Sequence, residues 1–454
     1  MTPLIIPIET QVREFDAKLL LSCVAAEAGF PVYLGSQTRI HKKITALPRG
    51  VYLSKDVRSS KERMFSIMKQ LGHRIIAWDE EGLVRYPSYH YFKTRTSSDA
   101  IREIDVFFAW GDDDAGVMKT HADFGDIPIY KTGNPRVDLL RPELRVFHQD
   151  EADRLRQTHG PFILINTNFG HSNHFLSKYT IATPEGESYE EVLEENWDDD
   201  VARYRNAMYA AFLDMIPRLG RAFADTTIIL RPHPSESHAS WRAAAEGCPN
   251  VKVIHEGPVV PWLMAADVLV HNGCTTAVEN FLLGRPSVTY RPMTSERFDR
   301  HLPDSLSYEA RSMDALIDEV GAFVGKTPAK AHTDAQQAKL DQHLESSDGH
   351  LASDRIVDIL RGLDICQTPP PAPGLSSFAK GWLRAKFRSG QKNLNMLVPG
   401  SKNSFVYEKH RFPGMSEDEV RLGIARFAGQ MERFKNISAK QVSEGIFLIS
   451  KTIS

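Results

Sequence analysis

The chain has few cysteines, no strong excess of either charge and no long apolar run, and each lack argues against a class of function. Its four cysteines, Cys23, Cys248, Cys274 and Cys366, are scattered with no CxxC pair. That fits a reducing compartment better than a disulfide framework or a zinc site. Lys and Arg number 55 against 58 Asp and Glu, a formal net charge of −3, whereas a dedicated nucleic-acid binder carries a marked positive excess. No apolar stretch approaches the roughly 20 residues that span a bilayer, so any work at a membrane would be done from its surface. The opening Met1–Glu9 lacks a basic leader and a small-residue cleavage site. It reads as a first strand rather than a signal peptide, and the expected location is cytoplasmic, with peripheral contact at the inner face of the cytoplasmic membrane as an option.

What is present is an alternation of strand-like and helix-like segments. Leu4–Ile8, Val32–Gly35, Gly50–Leu53, Arg74–Trp78 and Val106–Gly111 are short apolar runs separated by amphipathic stretches. A second series follows at Phe162–Asn166, Thr227–Leu230, Val251–Ile254, Val268–Val270 and Pro286–Tyr290. Apolar runs of this length alternating with helices predict parallel, doubly wound sheets. At 454 residues the chain exceeds one ordinary core. The expectation is an α/β protein of two Rossmann-like domains facing a cleft: residues 1–150, residues 151–365, and 366–454 a linker and basic, mainly helical extension.

Two strand ends carry the most chemistry. Ile228–Pro234 ends in Arg231-Pro232-His233-Pro234, and Val268–Thr276 runs through Asn272, Gly273 and Cys274 into Thr275-Thr276. Ligands of open α/β sheets collect at the carboxyl ends of strands. A hydroxyl pair capping a helix start would leave amide N–H groups for a phosphate. A third element, Trp78-Asp79-Glu80-Glu81-Gly82-Leu83-Val84-Arg85, places adjacent carboxylates at a strand end, as a general base or nucleophile requires.

In that order, Glu80-Glu81-Gly82, His233-Pro234 and Thr275-Thr276 resemble the motif set of bacterial GT-B glycosyltransferases that use CMP-activated ulosonic acids, the Kdo transferases and sialyltransferases of capsule and lipopolysaccharide assembly. The span from Ile5 to about Tyr290 is also similar to the surface carbohydrate biosynthesis proteins, through Ile6-Pro7-Ile8-Glu9, Arg13–Leu21 and His271–Glu279. The resemblance implies a metal-independent transferase with no cofactor beyond its CMP-sugar donor, acting on a glycan or lipid-linked glycan. It implies Glu81 as the catalytic carboxylate, where these families usually have Asp, with Asp79 or Glu80 as the other choices. His233 would meet the leaving phosphate with Arg231 nearby. Pro234, Asn272, Gly273, Thr275 and Thr276 would line the nucleotide, and either Glu256 or Glu279 would hold the ribose.

Asn166, Asn168, Asn134 and Arg136 lie in loop-type sequence and are further candidates for the cleft lining. Glu185–Asp200 holds nine acidic residues and no Lys or Arg, which reads as a solvated insertion. The triplets Asp112–Asp114 and Asp198–Asp200 lack a metal-site pattern. Ser376–Phe412 carries eight Lys or Arg against one Glu, with Phe378, Trp382, Phe387 and Phe405 interleaved. Such a tail lies on an anionic membrane, binds a partner, or packs back on the body. Alternative functions are a CDP-glycerol-type polyol-phosphate transferase, a sugar-nucleotide epimerase, and a non-catalytic scaffold of a glycan assembly complex.

Overall fold

The structure, a computed structural model, describes residues 1–86, 88–175, 197–326, 332–398 and 404–452. It forms two compact units, Met1–Phe147 with Asp341–Ser454, and His148–Leu340.

In the first unit β1 (Leu4–Ile8), β2 (Val32–Ser36), β3 (Val51–Ser54), β4 (Arg74–Ala77), β5 (Val106–Ala109) and β6 (Ile129–Lys131) run parallel in the order β2-β1-β3-β4-β5-β6. Successive strand residues face opposite sides. Leu4, Ile6 and Ile8 therefore enter one core with the helix Gln11–Glu27, while Ile5, Tyr52 and Phe107 enter another with the helix Ser59–Gln70. Burial on both faces explains why β5 reads as the unbroken apolar run Val-Phe-Phe-Ala.

In the second unit β7 (Phe162–Asn166), β8 (Thr227–Arg231), β9 (Val251–Val253), β10 (Val268–His271), β11 (Ser287–Tyr290) and β12 (Tyr308–Ala310) are also all parallel. Their order is β12-β11-β10-β7-β8-β9. This is the dinucleotide-binding strand order, in which the direction of winding reverses between β7 and β10, and ligands sit at the carboxyl ends on either side of that reversal. The fold is thus two Rossmann-like, doubly wound α/β units of GT-B-like type.

The structure divides the chain differently from the expected 151–365 and 366–454. Residues 341–365 join the first unit, and so does the tail. The tail is helical over Leu375–Met396, Phe405–Arg411 and Glu417–Met431, but ends in a hairpin of β13 (Ile437–Ser443) and β14 (Ile446–Lys451). β14 pairs antiparallel with β2, making an eight-stranded sheet, and buries Ile446, Phe447 and Ile449. An apolar face that completes the core, rather than the basic charge that precedes it, decides where this segment goes.

The junction depends on Gly35, where a Cβ would lie 2.3 Å from the Gly445 carbonyl oxygen. Gly35→Ala is expected to cost about 1–3 kcal/mol, the usual penalty of overpacking, measured by urea unfolding.

Candidate functional site

In the second unit β8 ends at Arg231, in register with Asn166 at the end of β7. The Arg231 guanidinium is buried, donates to the carbonyls of Glu256 (2.8 Å) and Gly257 (2.5 Å), and lies over the Trp262 ring. Burial pushes its pKa down to about 10, so it remains a cation. Its fork is therefore committed to the turn after β9. In place of the expected direct charge on a phosphate, it supplies a fixed positive field and holds that turn.

His233 is positioned by Glu236, a residue the sequence did not single out. The buried Glu236 carboxylate accepts hydrogen bonds from the Thr167 hydroxyl (2.9 Å), Phe169 N–H (3.0 Å), His233 N–H (3.1 Å) and Trp241 Nε1–H (3.0 Å). It ties the loop after β7 to the loop after β8. Burial raises its pKa against the pull of those hydrogen bonds. The His233 ring accepts the Ser235 N–H at Nδ1 (3.2 Å) and lies 2.8 Å from the Ser235 hydroxyl. That arrangement places the neutral ring's proton on Nε2, the form that donates to an anion.

β10 delivers the other half of the site. His271 Nδ1 accepts the Gly273 N–H (3.0 Å), and its Nε2 faces the Ser307 hydroxyl (2.8 Å). Gly273 turns the chain at φ +74°, a left-handed conformation suited to glycine. The helix Thr275–Leu282 then begins, but not with the expected Thr cap. Cys274 is the N-cap and makes no side-chain cap bond, and Thr276 Oγ1 sits 2.7 Å from Cys274 Sγ. The helix start thus keeps N–H groups that no side chain caps, a ready anion site.

Beside it, Asn166 pairs in register with His271 across the winding reversal and is buried. Among the described residues neither its Oδ1 nor its Nδ2 has a hydrogen-bond partner, and the same holds for Asn272 Oδ1. Buried amides are almost always satisfied. Groups of this kind take an ordered water or a polar ligand as their partner. Asn168 and Pro234 are half-buried on the same two loops. Of the two ribose candidates, Glu256 is exposed and Glu279 is buried in the helix.

Burial drives the His271 pKa from its ordinary 6.5 to about 3. Its NMR resonances should show no titration step near 6.5. An unfolded chain protonates there, so the stability His271 contributes is full above about 6.5 and is lost as the pH falls towards 3.

In the first unit the three carboxylates after β4 take different roles. Asp79 is buried, bonded by the Tyr91 hydroxyl (2.7 Å) and paired with Arg95. Glu80 is buried and accepts the Trp78 Nε1–H (2.9 Å), with Arg136 4.0 Å away. Glu81 alone of the three reaches the surface, one third exposed, in an ion pair with Arg13 at 2.5 Å. Partial burial opposes its ionisation. The Arg13 guanidinium, helped by Arg136 and Arg95, overrides this and holds the carboxyl well below the usual carboxylate range. Asn134 caps the short helix Pro135–Asp138 by accepting the Arg136 N–H (3.1 Å), a structural task rather than the expected cleft lining.

Also in this unit is a pocket of about 130 Å³ that the sequence did not disclose. It lies at the ends of β1 and β2, lined by Glu9, Ser36, Gln37, Thr38, Lys392 and Arg411 among others. Glu9 there pairs with Lys55 (2.7 Å) and Arg411 (2.6 Å), and Lys55 with the buried Glu14 (3.0 Å). The Glu9 and Arg13–Leu21 segments are thus locked together by charge.

Of the acidic segments, 185–196 and the side chains of Asp198 and Asp199 lie outside the described residues. Asp112 pairs with Lys131, Asp113 with Arg85, and Asp114 accepts the Trp110 N–H.

No family model matches the chain, and no curated protein is similar to it. Solved structures are. The S. aureus MnaA–UDP structure covers 82% of this chain and 99% of its own, at 12% identity and a TM-score of 0.52. UDP-GlcNAc 2-epimerase from Neisseria meningitidis, bound to UDP-GlcNAc, covers 80% and 100%, at 13% identity and a TM-score of 0.50. A variant of the wall teichoic acid polymerase TagF covers 80% and 89%, at 12% identity and a TM-score of 0.48. At these identities the likeness is one of fold.

Proposed function

We propose that this chain is a nucleotide-sugar-dependent glycosyltransferase of surface glycan assembly, and that its donor is a CMP-activated ulosonic acid, Kdo or a sialic-type sugar. The observation that carries the reading is the second unit's strand-end site, where a buried Asn166 with two unsatisfied polar atoms lies beside a helix start without a side-chain cap, at the winding reversal of a Rossmann-like sheet. Nucleotide phosphate is the ligand chemistry that such a place accepts. Two fold neighbours, the Neisseria meningitidis epimerase and S. aureus MnaA, are complexes with UDP-GlcNAc and UDP. The choice of cytidylate rests on the motif order of Glu81, His233 and Thr275.

In this reading the acceptor oxygen forms the new glycosidic bond as the bond from the anomeric carbon to the phosphate oxygen breaks, and CMP leaves with the electron pair. His233 Nε2–H, Thr275 and the helix-start N–H groups receive the charge on the phosphate. Asn272 and Gly273 shape the loop, and Glu256, being exposed, is favoured over Glu279 for the ribose. The first unit takes the acceptor. Glu81, ionised, either accepts the hydroxyl proton as the bond forms or attacks the anomeric carbon itself; the first course inverts and the second retains. No metal or cofactor is invoked.

Incubation with CMP-Kdo, CMP-sialic acid, CDP-glycerol and UDP-GlcNAc, each with and without a glycan acceptor, tests this. Release of CMP that depends on acceptor is expected. Turnover of CDP-glycerol would favour the polyol-phosphate reading, conversion of UDP-GlcNAc without acceptor an epimerase, and no nucleotide binding by calorimetry a scaffold. Thr275→Val should weaken CMP binding about tenfold, the worth of one hydrogen bond to a charged group. Thr276→Val should do less, because its hydroxyl is already engaged by Cys274.

A further inference from the structure

Nine of the fifteen large hydrophobic side chains exposed among the described residues fall between Leu375 and Phe405. The helix Leu375–Met396 explains the concentration. One face packs on the helix Ser59–Gln70: Gly381 and Ala385 are buried, a Cβ on Gly381 would come within 2.8 Å of Gln70, and Arg384 bonds the Ser66 hydroxyl (3.0 Å). At 3.6 residues per turn, Leu375, Trp382, Leu383, Phe387 and Leu394 project from the opposite side, each at least 40% exposed. The segment 375–398 contains five Lys or Arg and no Asp or Glu. Arg384, Arg388 and Lys392 lie towards the packed side, whereas Lys380 and Lys386 stand exposed beside the apolar residues, and a face that buried itself against a soluble partner's core would not need these exposed cations along its edges. An interfacial helix does, since its apolar side chains enter the acyl boundary while its cations meet lipid phosphates.

We infer that the outward face of the helix Leu375–Met396 docks this protein on an anionic lipid bilayer. The first unit's strand-end pocket then lies beside the membrane, because Lys392 and Met396 of the same helix line it, within roughly one helix diameter of the docked face, about 10 Å. This goes beyond the proposed transfer reaction and does not require it.

The test is sedimentation of the full chain with phosphatidylglycerol–phosphatidylcholine vesicles and with pure phosphatidylcholine vesicles, at low and high salt. Binding to the anionic vesicles that salt weakens is expected. The triple variant Trp382→Ser, Leu383→Ser, Phe387→Ser should lose it while keeping a near-native thermal melt, since Leu383 and Phe387 are more than 60% exposed and Trp382 is 40% exposed. The variant Lys380→Gln, Lys386→Gln should bind anionic vesicles about fivefold more weakly per charge removed. Native protein that stays in the supernatant with anionic vesicles overturns the inference, as does a triple variant that binds as well as the native chain. A concentration-dependent dimer that the triple variant dissolves, with no vesicle binding, would assign the face to a second copy of the chain instead.

Discussion

Glu81→Gln should leave CMP binding unchanged while sugar transfer falls by about a thousandfold, the middle of the range for losing a positioned acid–base group. The substitution keeps the shape and hydrogen-bonding reach of the side chain and removes the charge. Glu81 belongs to the first unit and the proposed nucleotide site to the second, so binding and chemistry should separate in the kinetics. The ion pair with Arg13 adds a finer expectation. While that pair holds, Glu81 stays ionised far into acid and no acidic limb from it should appear in the rate profile near the ordinary carboxylate value. Arg13→Met lifts the Glu81 pKa towards the ordinary 4.5, so the proposed activity should fail at a higher pH on acidification than in the native protein. Transfer by Glu81→Gln at the native rate would remove the residue from the chemistry. Asp79→Asn and Glu80→Gln do not replace that experiment, because both carboxylates are buried in hydrogen bonds and their loss would disturb the fold.

Glu236→Ala should be the most damaging single change in the second unit. It strips one acceptor from four donors, the Thr167 hydroxyl, two backbone N–H groups and the Trp241 indole. Each buried donor left without a partner costs about 1–3 kcal/mol, so a loss of at least about 3 kcal/mol is expected in urea unfolding followed by circular dichroism. CMP binding should disappear with it, because the loops carrying Asn168 and His233 are no longer tied together. His233→Ala offers the contrast: near-native stability with turnover reduced about a hundredfold. If Glu236→Ala binds CMP normally, the linkage between the two loops does not organise the site.

The strands of both sheets were legible where burial on two faces wrote itself as an apolar run, as in Phe162–Asn166 and Val106–Ala109. β6 and β12 were not, since each has three residues, most of them partly exposed, and carries no such run. β13 alternates with Lys440 and Gln441 and reads as a polar stretch until its partner β14 is known. At the site, the strand ends could be read because position at the end of a parallel strand follows from the strand itself. The roles of individual side chains could not, for they depend on partners distant in sequence. Arg231 looks like a phosphate ligand until the carbonyls of Glu256 and Gly257 are found on it. Glu236 looks like a loop carboxylate until Thr167 and Trp241 are. Nothing in the order Asp79-Glu80-Glu81 tells which one reaches the surface, and Arg13 decides that from 68 positions away.

The pairing of β14 with β2 has a consequence for synthesis. A ribosome completes residues 148–340 long before it makes 446–451, so the second unit can fold during translation while the first waits with β2 as a bare sheet edge. Such an edge is a template for the strands of other chains. Until the last hairpin arrives, protection falls to chaperones or to speed, and nascent chains stalled between those two points are the form of this protein most exposed to aggregation.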